Sequence, residues 1–137
     1  MALVLTCGLS FSGKSTLAAG LSNALGGRAI AAGRHVVVDD TGSPRFIRDE
    51  WRATASAAGV PFVLVWVQIS PELQRERVLA NRLGQVRPDV TDAVLQEHGA
   101  SFEPPVSEDP WVIDATSTSD SVAIAAIVEA IKAAAVR

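Results

Sequence analysis

Apolar residues fall in short unbroken runs, separated by longer stretches with helical spacing. Ala2 to Cys7 is a run rich in Val and Leu, the pattern of a strand buried on both faces. Leu17, Leu21 and Leu25 recur four apart from Lys14 onward, which makes one face of a helix stopped by Gly26-Gly27. His35 to Asp40 reads as a second buried strand that ends in two carboxylates. Ser43-Pro44 gives a cap followed by proline at the first helical position. The helix behind it runs to about Ala58, with Ile47, Trp51, Ala55 and Ala58 on one side and Gly59 as its stop. Phe62 to Ile69 is a third buried strand, and Ser70-Pro71 repeats the cap signal before a charged helix to Leu83. A loop, Gln85 to Asp89, leads to a short helix ending near His98-Gly99. A polar stretch, Ser101 to Pro110, precedes a strand at Trp111 to Asp114 and an alanine-rich helix at about Asp120 to Val136. Strands alternating with helices predict a three-layer α/β fold, a mostly parallel sheet with helices on both faces.

Length and composition narrow the class. The 137 residues suit a single domain, 1–137, with no repeat and no linker long enough to divide it. An apolar share of 48% with 20% charged residues excludes a disordered chain. No apolar run approaches the roughly 20 residues of a membrane helix. The N-terminus lacks a basic region and reads as a strand, not a signal peptide. The single cysteine, Cys7, has no internal partner, which fits a reducing cytoplasmic location. The net charge of −3 disfavours a partner bound through a phosphate backbone. His35 and His98 have no companions for metal ligation, and Trp51, Trp66 and Trp111 are expected in the core.

The sharpest signal is Gly8-Leu9-Ser10-Phe11-Ser12-Gly13-Lys14-Ser15-Thr16, which fits G-x-x-x-x-G-K-[ST] without deviation. The two glycines permit backbone angles that turn successive N–H groups toward one anion. The helix starting at Lys14 adds its positive end. The candidate triphosphate ligands are therefore Gly8, Ser10, Ser12, Gly13, Lys14, Ser15 and Thr16. Lys14 reaches for the β- and γ-phosphates, the Ser15 hydroxyl is placed for Mg²⁺, and Thr16 lies near the α-phosphate. The motif follows a predicted buried strand and opens a predicted helix, the context it requires.

Asp39 and Asp40 close the second strand. A carboxylate there orients Mg²⁺ in phosphate-loop proteins, and alternation along a strand points the two to opposite faces. Sequence leaves open which one serves the metal. Ten of the twelve basic residues are arginines. Arg45, Arg48 and Arg52 share one helix face, Arg75, Arg77 and Arg82 lie on the next charged helix, and Arg87 follows in the loop. Guanidinium groups bind phosphate oxygens bidentately, and a helix-loop-helix after the third strand can close as a lid. Arg82 and Arg87 are therefore expected over the triphosphate, with Lys14 and Asp40, as catalytic groups. No N/T-K-x-D guanine signature is present.

Together, GLSFSGKSTLA, HVVVDDT with R-x-x-R-D-x-W-R, V-W-V-x-I-S-P-E, and F-E-P-P resemble a small phosphate-loop kinase. The relatives are polynucleotide-kinase-like, gluconate-kinase-like, chloramphenicol-phosphotransferase-like and seryl-tRNA-kinase-like proteins. The His98 to Pro105 segment is most similar to the last. The resemblance implies a P-loop NTPase fold, ATP with Mg²⁺ as cofactors, and γ-phosphoryl transfer to a hydroxyl. The alanine- and arginine-rich usage suggests a GC-rich bacterial source. One departure stands out. Such kinases carry a further strand and helices between the phosphate-loop helix and the DDT strand, and that strand usually ends in an Asp that acts as base. Here only Gly26 to Arg34 intervene, with an abrupt junction at Ile30–Ala31. An acceptor segment is either deleted there or missing from the chain as written; the second is favoured, and neither names the base. The acceptor pocket is expected from the region after Leu25 and the Arg45–Arg52 face. Acidity favours a small neutral or cationic acceptor over nucleic acid. The competing readings are a nucleotide-binding or regulatory module with little transferase activity, and a nucleic-acid or tRNA hydroxyl kinase. No sequence feature sets the oligomeric state.

Overall fold

The computed structural model describes residues 1–25 and 35–136. Four strands alternate with helices along the described chain: β1 (Leu3–Cys7), α1 (Lys14–Ala24), β2 (Val36–Asp39), α2 (Arg45–Ala57), β3 (Phe62–Gln68), α3 (Pro71–Gly84), α4 (Asp92–Ser101), β4 (Trp111–Asp114) and α5 (Ser121–Val136). A single 3₁₀ turn, Ala115–Ser117, joins β4 to α5 and carries no sequence signal of its own. The sheet runs β2-β1-β3-β4, and every pairing is parallel. All four strands therefore end at the same edge. That edge receives the loop after β1, the carboxylates after β2, and the starts of α3 and α5.

The sheet is covered on both faces, as the unbroken apolar strands require. On one face Val4, Val63, Val65, Val67 and Ile113 pack against Leu17, Leu21 and Leu25 of the α1 segment and Ile127, Val128 and Ile131 of α5. On the other, Leu5, Cys7 and Leu64 meet Val38, Trp51, Trp66 and Phe102. The leucines spaced four apart on α1 are all buried. A buried Leu contributes about 1.5–3 kcal/mol. This is the three-layer α/β P-loop NTPase fold expected from the sequence. Among the described residues, no helix is long and apolar enough to cross a membrane.

Some local expectations change. Ser43 does not cap α2: Pro44 takes the N-cap position, and the Ser43 hydroxyl accepts from the Glu103 backbone N–H at 3.0 Å. Ser70 caps α3 as expected, accepting from Leu73 N–H at 3.1 Å. Ala58 is exposed, and the buried α2 residues are Ala55 and, against the pattern, Arg48. Trp111 is not core: β4 is an outer strand, and only Ile113 of its four residues is buried. The Gly26-Gly27 stop and the Ile30–Ala31 junction lie outside the described residues.

Candidate functional site

The phosphate loop sits at the end of β1, and its shape is fixed from outside by α3. Gln74 Nε2 donates to the Ser10 carbonyl at 3.0 Å. Arg77 donates to the Phe11 carbonyl at 2.8 Å and to the Ala115 carbonyl at 2.9 Å. A trans peptide places each C=O opposite the following N–H, so tethering the Ser10 carbonyl aims the Phe11 amide away from α3. Gly8 and Gly13 are required by close approach. A Cβ at Gly8 would lie 2.8 Å from the Val67 carbonyl oxygen, and one at Gly13 would lie 2.7 Å from Thr118 Oγ1. Gly13 also holds φ 92°, which favours glycine. The Gly8 N–H is not free to face an anion, because it donates to the Thr41 carbonyl at 3.1 Å. Gly8 is thus a close-approach residue rather than a donor.

Helix α1 starts at Lys14, and its first backbone bond runs from Leu17 N–H to the Gly13 carbonyl at 2.9 Å. The N–H groups of Lys14, Ser15 and Thr16 precede it and stay available at the positive helix end. Ser12 Oγ is buried without a partner inside the loop. A buried polar atom of that kind calls for a ligand atom or water. Burial pushes the Lys14 pKa below the ordinary lysine value; Asp39 opposes the shift, and nearby Arg87 adds to it.

Asp39 closes β2, and Asp40 follows it outside the strand. The β1–β2 register pairs Thr6 with Asp39. Ser15 Oγ donates to Asp39 Oδ2 at 2.6 Å, and Thr6 Oγ1 approaches Oδ1 at 3.4 Å. A hydroxyl and a carboxylate, both hard oxygen donors, therefore meet at the foot of the loop beside Lys14. Such a pair suits Mg²⁺, which takes one or two protein oxygens and fills its shell from water and phosphate. Among the described residues, no group of three or more His, Cys, Asp or Glu side chains gathers as a metal cluster. Asp40 has no hydrogen bond to Ser15, but its charge still acts on Lys14.

The two lid arginines part company. The Arg87 guanidinium lies over the Phe11 ring, 4.0 Å from its centroid, and so reaches the phosphate loop. Buried Asn81 holds that position: its Nδ2 donates to the Arg87 carbonyl at 2.9 Å, and its Oδ1 accepts from the Arg87 N–H at 3.1 Å. The structure does not bring Arg82 to the loop. Its guanidinium bonds Asp89 at 3.1 Å, Asp92 at 2.8 Å and the Val90 carbonyl at 3.1 Å, bracing the α3–α4 connection. Two carboxylates within reach outcompete a more distant anion for the same donors.

The α2 arginines also have partners of their own. Arg48 is 1% exposed and donates to both Glu108 oxygens, at 3.0 and 2.7 Å, and to the Gly42 and Glu103 carbonyls, at 2.6 and 2.8 Å. Arg52 adds a second cation to Glu108 at 2.6 Å, and Arg45 pairs with Asp49. Hydrogen bonds from Arg48 hold the Glu108 carboxyl below the ordinary glutamate value. This cluster fixes the turn after β2, where Thr41 holds Gly8, rather than forming an acceptor surface. Sequence reasoning missed Gln74, Asn81 and Glu108; the first two share with Arg77 a spacing that puts them on one face of α3.

Comparisons with known proteins agree with the fold. The AAA domain family profile matches residues 24–105, beginning beyond the phosphate loop. Among curated proteins, none matches the chain. The fold is similar to Chaetomium thermophilum Kti12 in complex with ADP-AlF3, at a TM-score of 0.76 and 17% identity over 97% of this chain and 98% of that one. It is also similar to a gluconokinase from Sinorhizobium meliloti 1021, at 0.67 and 18% over 96% and 95%. An unliganded sugar kinase from Janibacter sp. HTCC2649 follows at 0.59 and 16% over 98% and 96%. With its four-stranded parallel sheet, its phosphate loop and this profile match, the chain belongs to the AAA domain family and has the fold of small P-loop kinases.

Proposed function

We propose that this protein is an ATP-dependent phosphotransferase that moves the γ-phosphoryl group of ATP to a hydroxyl of a small molecule. The observation that carries the reading is the 2.6 Å contact of Ser15 with Asp39 beside Lys14, at the N-terminus of α1. The orphan Ser12 hydroxyl and the oxygen donor pair fit a triphosphate with Mg²⁺. Ser15 and Asp39 would hold the ion, Asp39 directly or through water, and when bound it supplies charge neutralisation at the phosphate oxygens.

This chain's own groups do the positioning. The amides of Lys14, Ser15 and Thr16 take phosphate oxygens, and Lys14 and Arg87 place two cations over the transferring group. Their mutual repulsion is relieved by an anion between them, so the charges bind best where negative charge accumulates. Asp40 tunes Lys14 from the adjoining position. In the transfer the acceptor oxygen bonds to the γ-phosphorus, the bond to the β–γ bridging oxygen breaks, ADP leaves with that electron pair, and the hydroxyl proton passes to water. Fold similarity to a gluconokinase and a sugar kinase supports this class of reaction.

The test is transfer of label from γ-labelled ATP to two panels: small hydroxylated metabolites and antibiotics, and 5′-hydroxyl oligonucleotides with tRNA. Label on small molecules is expected. Label only on nucleic acid would overturn the acceptor class. Label on neither would favour a nucleotide-binding module, and an intact mass of the purified chain would then show whether an acceptor segment near residues 30–31 is missing.

A further inference from the structure

A concavity opens at the carboxyl end of β3, beside the phosphate loop. It encloses about 320 Å³ between Leu9 of the phosphate loop, the strand end at Trp66 to Ile69, and the segment beyond α4 that carries Phe102 and Pro104. Parallel sheets bind ligands in the crevice outside the carboxyl ends of their strands. Leu9 stands between Gly8 and Ser10, so an occupant of this cleft lies against the phosphate loop.

The lining selects by charge. Among the described residues, none that line the cleft is ionisable; its polar side-chain groups are the Gln68 amide and the Trp66 indole N–H. A carboxylate or phosphate entering it would lose water without gaining a counter-charge. The Trp66 and Phe102 rings offer flat apolar area, and an amide both donates to and accepts from a neutral hydroxyl. Gly99 leaves the α4 side open, since a Cβ there would meet nothing within 4 Å. The wall is also fixed in advance. Phe102 packs against the Leu5, Cys7 and Leu64 cluster, and Glu103 is tied by its N–H to Ser43 and by its carbonyl to Arg48.

We propose that this cleft is the acceptor subsite and takes an uncharged, hydroxyl-bearing molecule with a flat or apolar body. The proposal rests on the phosphotransferase reading and moves the acceptor away from the α2 arginine face. Its test uses the full chain, ¹⁵N-labelled on tryptophan indoles, with the Trp66 signal assigned by Trp66→Phe. Benzyl alcohol and thymidine are titrated as uncharged probes, gluconate as a charged one. The expected result is a shift of the Trp66 indole with an uncharged probe, none at Trp51 or Trp111, and none with gluconate. Gln68 is exposed at the strand end, so Gln68→Glu should fold, and it should abolish the Trp66 shift. A Trp66 signal that ignores both uncharged probes, or that shifts with gluconate, overturns the proposal. Mg-ATP melts of the same wild-type and Gln68→Glu samples keep the two readings apart. Nucleotide stabilisation without probe binding overturns the subsite alone; no nucleotide stabilisation overturns the phosphotransferase reading beneath it.

Discussion

Replacing Arg48 with Met should destabilise the fold by about 3 kcal/mol, at the lower end of the range for breaking a buried ion pair from one side. The Arg48 side chain is 1% exposed and that of Glu108 is 4% exposed, so the carboxylate left behind cannot recover its hydration. The Gly42 and Glu103 carbonyls lose a donor as well. Arg52, still 2.6 Å from Glu108, offsets part of the loss, which is why the lower end applies. At about 2.1 cal/mol/K of unfolding entropy per residue, that loss lowers Tm by roughly 10 °C in a domain of this size. Urea unfolding and thermal melts read both quantities. The paired variant Arg48→Met with Glu108→Leu removes both charges and should recover most of the loss. Acid gives an independent check. Glu108 has a lowered pKa in the fold, so its ionised form contributes stability above the ordinary glutamate range. That contribution fades as pH falls through the lower folded value, and Glu108→Leu should flatten this part of the profile. Arg48→Met within about 0.5 kcal/mol of wild type, the range of an ordinary surface change, would refute the reasoning.

Asp39→Asn should weaken Mg²⁺-dependent nucleotide binding at least tenfold, about 1.4 kcal/mol, and Asp40→Asn much less; equal small effects in a titration would remove Asp39 from the metal site. Arg87→Met keeps the apolar contact with Phe11 but loses the charge, so phosphoryl transfer should slow while Tm stays put; unchanged turnover would leave Arg87 a surface residue. Burial pushes the Cys7 thiol up to about 11, so iodoacetamide at pH 8 should spare it in the native protein and modify it in denaturant. Rapid native labelling would contradict that placement.

The layers of the fold were legible because the strands are short, mostly apolar runs and because α1, α3 and α5 bury apolar side chains at helical spacing, whereas α4 buries none. The loop was legible because its glycines answer steric demands that a sequence pattern can carry. What escaped were contacts between distant segments. Nothing near Arg48 in sequence announces Glu108, sixty residues away, and a helix face rich in arginine reads as phosphate-binding until its carboxylate partner is known. Arg82 and Arg87 look alike in a string; only the folded α3–α4 connection gives Arg82 its two aspartates and leaves Arg87 to Phe11. Gln74 and Asn81 could have been found from their spacing around Arg77, since a helix that follows a phosphate-loop sheet must turn one polar face toward the loop. Ser43 misled because its cap signal was genuine chemistry directed at another backbone N–H, that of Glu103.

The most direct measurement is the thermal melt of wild-type and Lys14→Ala protein with and without Mg-ATP. Ligand bound only to the native state stabilises it by about 2.7 kcal/mol at a hundredfold excess over Kd. The account predicts a rise of several degrees for wild type at millimolar Mg-ATP, a smaller rise with ATP and EDTA, and none for Lys14→Ala. A wild-type Tm that Mg-ATP leaves unchanged, or a Lys14→Ala protein stabilised as much as wild type, would contradict it.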